Sequence, residues 1–539
     1  MQFWKLQGSL RKKLDLGQCL YIVCALILVV AFTGCTSFKD YVHNGFKVGP
    51  NYSRPAAPIA RNWIDADDQR IRNESEDLSR WWTVFNDPAL NNLICCAYRQ
   101  NLTLREAGFR VLQARAQLGI TTGQIFPQSQ TITGSYSRNA ASRQTISGQA
   151  LVAPFYNQWN YGFNLNWELD FWGRFRRAIE SDSANLDASV ENYDDVLVTL
   201  LGDVAASYVQ MRTLEGRIKY AQDNVRLQRE TLTITEARFQ GGTTSELDVY
   251  QARSTLESTE AQIPELAISL RQTITRLCIL MGLPPEELQS KLGPAPIPTT
   301  PAEVAIGIPA DLLRRRPDVR RAERQAAAQS ALIGVATADF YPAISINGTV
   351  GYSSERFSDL FRSSALNGSV GPSFQWNVLN YGRISNNVRL QDAKLQELVA
   401  TYQQTVLSAN KEAEDGLVTF LRAQQRTKLQ AASVEDAEKA VEIVLAQYRA
   451  GAIDFTRVTQ LEQTLVQQQD VLTQAQGEIV TGLIQVYKAL GGGWQIRLTG
   501  CEITPLPPHD EPPATGTPSP ASERLPAPST EPAVVPPEK

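Results

Sequence analysis

Trp159-Asn160-Tyr161-Gly162-Phe163-Asn164-Leu165-Asn166-Trp167-Glu168-Leu169-Asp170-Phe171 decides the fold of this 539-residue chain. Every odd position is apolar, and every even one is an amide, an acid or glycine. So strict a period of two makes a strand with one apolar and one polar face. Asparagines and acids turned into a protein core would be costly. Aromatics facing lipid and amides facing water would not, which is the pattern of a membrane-barrel strand. Ser369–Val378 repeats the pattern, with Val370, Phe374, Trp376 and Val378 on one side. Ile132 and Tyr136, then Ile344, Ile346, Val350 and Tyr352, mark the partner strands. The expected strands are 128–140, 159–171, 343–354 and 369–381, with loops at 141–158 and 355–368. A soluble sandwich would need strands the rest of the chain does not offer. Four strands leave open edges in lipid, and closed barrels begin at about eight. The chain must therefore associate with copies of itself; strand arithmetic leaves two or three open.

Outward from these strands the chain repeats itself at an offset of 209 residues. Trp167–Arg174 returns as Trp376–Arg383, Arg238–Gly242 as Gln447–Gly451, and Gly282 as Gly491. After Gly173 and Gly382 the period changes to 3.5–3.6. Leu186, Val190, Tyr193, Leu197, Leu200, Val204, Tyr208 and Met211 carry the stripe, and 209 residues on it is rebuilt from Leu395 to Phe420. Long proline-free helices are expected over 173–240 and 383–449, each about 100 Å at 1.5 Å per residue. Helices that long need partners along their whole flank. Shorter helices at 102–125 and 245–280, then 318–340 and 454–489, supply two stacked partners in each half. The halves span 102–280 and 318–489. A belt is expected from 35–101, 281–317 and 490–504, and the Pro-rich stretch 505–539 reads as a disordered tail.

The N-terminal residues 1–34 read as a signal peptide: Lys5, Arg11, Lys12 and Lys13 precede an apolar run, Cys19–Phe32, too short to span a bilayer. Thr33-Gly34-Cys35 resembles a lipoprotein box, which implies lipid on Cys35, and Thr36 in place of Asp implies the outer membrane. Removing the leader's net +3 takes the formal charge from −4 to −7, which argues against nucleic acid as partner. The basic triplet Arg314–Arg316 before Pro317-Asp318 reads as a loop entering a helix. Two histidines and no CxxC pair argue against histidine catalysis and zinc, so no cofactor beyond the lipid is expected and the chain does not read as an enzyme. The cysteines other than Cys35 are expected as buried or idle thiols, not a disulfide framework.

Val48–Pro55, Trp81–Leu90, Ile308–Asp318, Ala322-Glu323, Ile333–Ala336 and Phe340–Pro342 resemble the outer-membrane factor family, the TolC-like channels, in its lipidated OprM/NodT-like branch. The resemblance implies a mainly α fold with a membrane β-barrel, in which a trimer's twelve strands close one barrel above a coiled-coil-like periplasmic tunnel and a mixed equatorial belt. It implies a passive efflux duct for small amphiphilic compounds, fed by a proton-driven inner-membrane pump through a periplasmic adaptor. It places adaptor contacts at the helix-reversal tips, Gln240, Gly241, Gly242, Thr243 and Thr244, with Arg449, Gly451, Ala452 and Ile453. An acidic aperture is common in the family on the helix after the second tip. Here Arg457 and Gln460 stand where an acid is expected, which leaves Asp454 and Glu462 as substitutes. The competing functions are a protein-secretion or heavy-metal duct and a pore-less periplasmic scaffold, which would leave the aromatic alternation unexplained.

Overall fold

The computed structural model describes residues 38–72, 74, 77–142, 144 and 155–501. The leader, Cys35 and the segment 505–539 lie outside the described residues.

The first half runs α1 (Pro88–Gln100), α2 (Leu102–Gly123), β1 (Ser129–Ala140), β2 (Phe155–Leu169), α3 (Arg174–Gln240) and α4 (Glu246–Leu280). The second runs α5 (Pro317–Ala338), β3 (Ala343–Ser354), β4 (Leu366–Gln375), α6 (Arg383–Arg449) and α7 (Phe455–Ala489). Both long helices, α3 and α6, have 67 residues. The repeat reaches the backbone: Gly173 and Gly382, Gly242 and Gly451, and Gly282 and Gly491 all take positive φ. α2 and α4 pack along α3, α5 along both α3 and α6, and α7 along α6 and α3. Pro127 and Pro342 stand between the short helices and the strands they lead into.

The four strands form one antiparallel sheet in the order β1-β2-β3-β4. Two strands differ from the expected spans. β2 begins at Phe155, because Ala140 of β1 still has a partner there and the hairpin outruns the alternation. β4 covers Leu366–Gln375 rather than 369–381, because Gln375 pairs with Ala343, the first residue after Pro342, and no further strand neighbour exists among the described residues. Pro372 lies on this edge strand, where a missing N–H is tolerated. Among the described residues no helix is long and apolar enough to cross a membrane.

The belt holds the main core. Trp81, Trp82, Phe85, Leu90 and Ile94 pack on Leu197, Leu201, Tyr208 and Tyr487, with Trp81 stacked on Tyr487 at 5.6 Å. Arg212 is fully enclosed and donates to Tyr208, Glu215 and the Gly293 carbonyl. Arg316, from the basic triplet, is held by Asp318, Glu412 and the Ala489 carbonyl. Burial raises the Asp194 carboxyl, with Arg497 and Arg320 pulling the other way. The N-terminal segment follows the helices from the strand junction, where Arg177 donates to Val48 and Gly49 carbonyls, down to Trp63 on Gly307.

The cysteine expectation is corrected. Cys95 of α1 and Cys501 form a disulfide across 406 residues with Cα atoms 5.6 Å apart, while Cys96 and Cys278 are free thiols. Only the folded belt brings the two together, so spacing along the chain held no signal of it.

Candidate functional site: strand faces, helical seam and tips

Register turns the alternation of β2 into two continuous faces across the sheet. On one, Ile132, Phe163 and Val350 stand abreast, as do Leu169, Ile344 and Phe374. Phe374 is 76% exposed and Val370 79%, an apolar surface without cover in the single chain. On the other, Ser129, Asn166, Asn347 and Gly371 align, then Thr131, Asn164, Thr349 and Ser369. These polar side chains bond to one another across strands: Asn166 to Asn347 at 2.6 Å, Asn347 to Ser373 at 2.7 Å, and Thr349 with Ser369 at 3.1 Å. Such a face suits water, and its opposite suits lipid.

Rings gather at both ends of the apolar face. Trp159 lies 4.5 Å from Tyr136 and 5.1 Å from Phe357, with Tyr161, Tyr352 and Phe361 alongside. At the helix end Trp167, Trp172 and Trp376 each donate an indole N–H to a carbonyl, those of Ile125, Pro342 and Phe340. Two bands of aromatics with polar tips match two membrane–water boundaries.

At the far end of the helices the two tips share one geometry. Gly242, at φ 70°, lets Thr243 N–H reach the Arg238 carbonyl at 2.9 Å; Gly451, at φ 74°, lets Ala452 N–H reach that of Gln447 at 2.9 Å. Both are helix stops in which the residue after a left-handed glycine bonds back five positions. Ser245 then caps α4 in a capping box with Asp248. Burial opposes ionisation of Asp248, yet hydrogen bonds from Thr244 and Ser245 hold its carboxyl below the usual range. The tips touch: Arg238 donates to the Tyr448 carbonyl and lies over its ring at 4.5 Å. Gln240, Gly241, Gly242, Thr243, Arg449, Gly451 and Ala452 are exposed, while Thr244 and Ile453 are half-buried.

The aperture candidates separate. Asp454, Arg457 and Gln460 are exposed, with Arg457 donating to Gln460 at 3.2 Å. Glu462 is not with them. Its side chain is 2% exposed and takes a 2.7 Å bond from Thr231 of α3. Burial pushes its carboxyl up to about 7 despite that hydrogen bond. In helical phase Glu462 follows Val458 and Phe455, both buried, and that stripe was the available signal.

A family model described as outer membrane efflux protein matches residues 93–283 and 308–492, one stretch in each half. The chain belongs to the outer membrane efflux protein family. It is 32% identical to the pyoverdine export outer membrane protein OpmQ of Pseudomonas putida over 426 residues, covering 77% of this chain and 88% of that one. It is 30% identical over 474 residues to the toluene efflux pump outer membrane protein TtgI of Pseudomonas putida, covering 86% of this chain and 99% of the relative. The solved outer-membrane channel OprN is 33% identical, with a TM-score of 0.78 over 83% of this chain and 99% of that one. As a family member the protein is an OprM/NodT-like outer-membrane efflux channel, and its place is the outer membrane. The family is one of transport proteins.

Proposed function

We propose that three copies close their twelve strands into one barrel whose polar face lines a water-filled lumen, continued by twelve helical columns into the periplasm. The observation that supports this most is the sheet itself: a lipid-suited face, a water-suited face, and edges at β1 and β4 that no strand among the described residues pairs with. The duct passes small amphiphilic compounds delivered by a proton-driven inner-membrane pump, and a periplasmic adaptor docks at the tips 240–244 and 449–453. Relatives named for pyoverdine export and toluene efflux support a small-molecule cargo. Lipid on Cys35 anchors the N-terminal segment beside the barrel. Asp454, Arg457 and Gln460 line the aperture.

A deletion strain on a panel of amphiphilic drugs, dyes and solvents tests this reading. Increased sensitivity, restored by the gene, is expected. A strain unchanged on the panel but defective in protein secretion would overturn the small-molecule assignment.

A further inference from the structure

The seam between the two repeats carries a regular series of polar contacts toward the tips. Near the second tip, Val441, Val444, Leu445 and Tyr448 of α6 pack on Phe455, Val458 and Leu465 of α7 and on Ala252 of α4, with Leu227, Leu232 and Ile234 of α3 at the margin. Where α3 of the first repeat meets α7 of the second, a stepped series of polar contacts runs among the apolar ones. Arg217 holds Asp470 with two bonds of 2.6 and 3.1 Å, Asn224 donates to Gln469 at 2.7 Å, and Thr231 to Glu462 at 2.7 Å. At the end Arg238 reaches the Tyr448 carbonyl of α6 instead. Positions 217, 224, 231 and 238 advance by seven, as do 462 and 469, so this is one heptad position filled with polar groups along its length. A polar seam loses less than an apolar one when water enters it, because both faces are rehydrated.

Glu462 is the titratable centre of that seam. The Thr231 hydroxyl has one hydrogen and two acceptors in reach, the Leu227 carbonyl at 3.2 Å and the Glu462 carboxyl at 2.7 Å. With Glu462 protonated, its own O–H bonds to Thr231, whose hydrogen serves Leu227, and every partner is satisfied. With Glu462 ionised, one hydroxyl is the sole donor among the described residues to a buried carboxylate, which is expensive. No cation among the described residues offsets it. At this level Arg229 pairs with Glu260 and Arg253 with Glu236 across the first hairpin, Glu438 accepts from Gln469, Arg457 bonds Gln460, and Glu442 is exposed. Gln228 and Thr459, one turn before Thr231 and Glu462, make no side-chain hydrogen bond among the described residues.

We infer that Glu462 is a proton-binding site built into the seam between the repeats: protonated, it holds α3 against α7 near the tips; ionised, it parts them and widens that end of the duct. The inference rests on the reading of the tips as the aperture. The closed seam binds the proton more tightly than a solvated glutamate does. Closure is therefore favoured fully below the ordinary value of 4.5, and that advantage is lost as pH rises through about 7.

The full-length protein in planar bilayers, recorded between about pH 5 and about pH 8, tests it. Open probability is expected to rise about tenfold or more across that range, with its midpoint near that of Glu462. Glu462→Gln should hold the acid-side behaviour at every pH, and Thr231→Val should move the midpoint upward by removing the hydroxyl that donates to the carboxylate. Asp454→Asn should alter ion selectivity and leave the midpoint in place. Infrared titration of the solubilised protein, by difference between wild type and Glu462→Gln, reads the carboxyl directly. A Glu462→Gln variant with the wild-type pH response, or a carboxyl titrating near 4.5, would overturn the proposal. So would a carboxyl titrating near 7 beside a flat conductance curve, since the site would not be coupled to the aperture. No current from any variant defeats the channel reading instead, and the infrared titration still decides the proton site.

Discussion

One backbone contact shows what single residues contribute. Gly49, at φ 83°, crosses α5 so closely that a Cβ on it would lie 2.4 Å from the Cα of Gly334. Both glycines are there because two backbones touch, and Gly49→Ala should displace the N-terminal segment at a cost of about 2 kcal/mol or more. Limited proteolysis around residues 44–60 measures it; cleavage at the wild-type rate would count against a tight crossing. At the proposed aperture Asp454 is exposed, as are Arg457 and Gln460. Asp454→Ala should shift ion selectivity toward anions, measured as reversal potential in a salt gradient, and unchanged selectivity would remove it from the pore. The turn glycines 242 and 451 were legible in sequence because a helix reversal needs positive φ. The burial of Glu462 was not, because an acidic residue near a tip reads as solvated until its neighbours on α3 are known.

The elements follow the periodicity closely where a partner continues and depart from it where the partner stops. α6 spans the 383–449 that its stripe indicates, since α5 and α7 flank its length. β4 stops at Gln375 although Trp376 and Val378 prolong the alternation, because its neighbour begins at Ala343. Tyr381, just beyond, is 94% exposed. The Cys95–Cys501 bond fastens the end of the described chain to α1, next to the core around Trp81 and Leu93. Cys501→Ser should lower stability by about 2–4 kcal/mol and free the region after Ile496. Denaturant unfolding with and without reductant gives the comparison: the wild type should fall to the variant's midpoint on reduction. Equal midpoints in all cases would mean the bond carries no stability.

The molecule as a whole is legible through its repeat. A constant offset yields two strand pairs and two long helices, and each helix of 67 residues is about 100 Å long. Open edges at β1 and β4 require association in lipid. Strand counting does not select the number of copies, since two or three both reach a closable barrel. The family supplies the outer-membrane efflux channel. If copies must join to make the lumen, conduction belongs to the oligomer and to no smaller unit. Single-channel recording of the purified oligomer beside the same sample dissociated by heat tests this most directly. Discrete currents are expected from the intact oligomer and none from separated chains; a folded oligomer that passes no ions would contradict a lumen shared between copies.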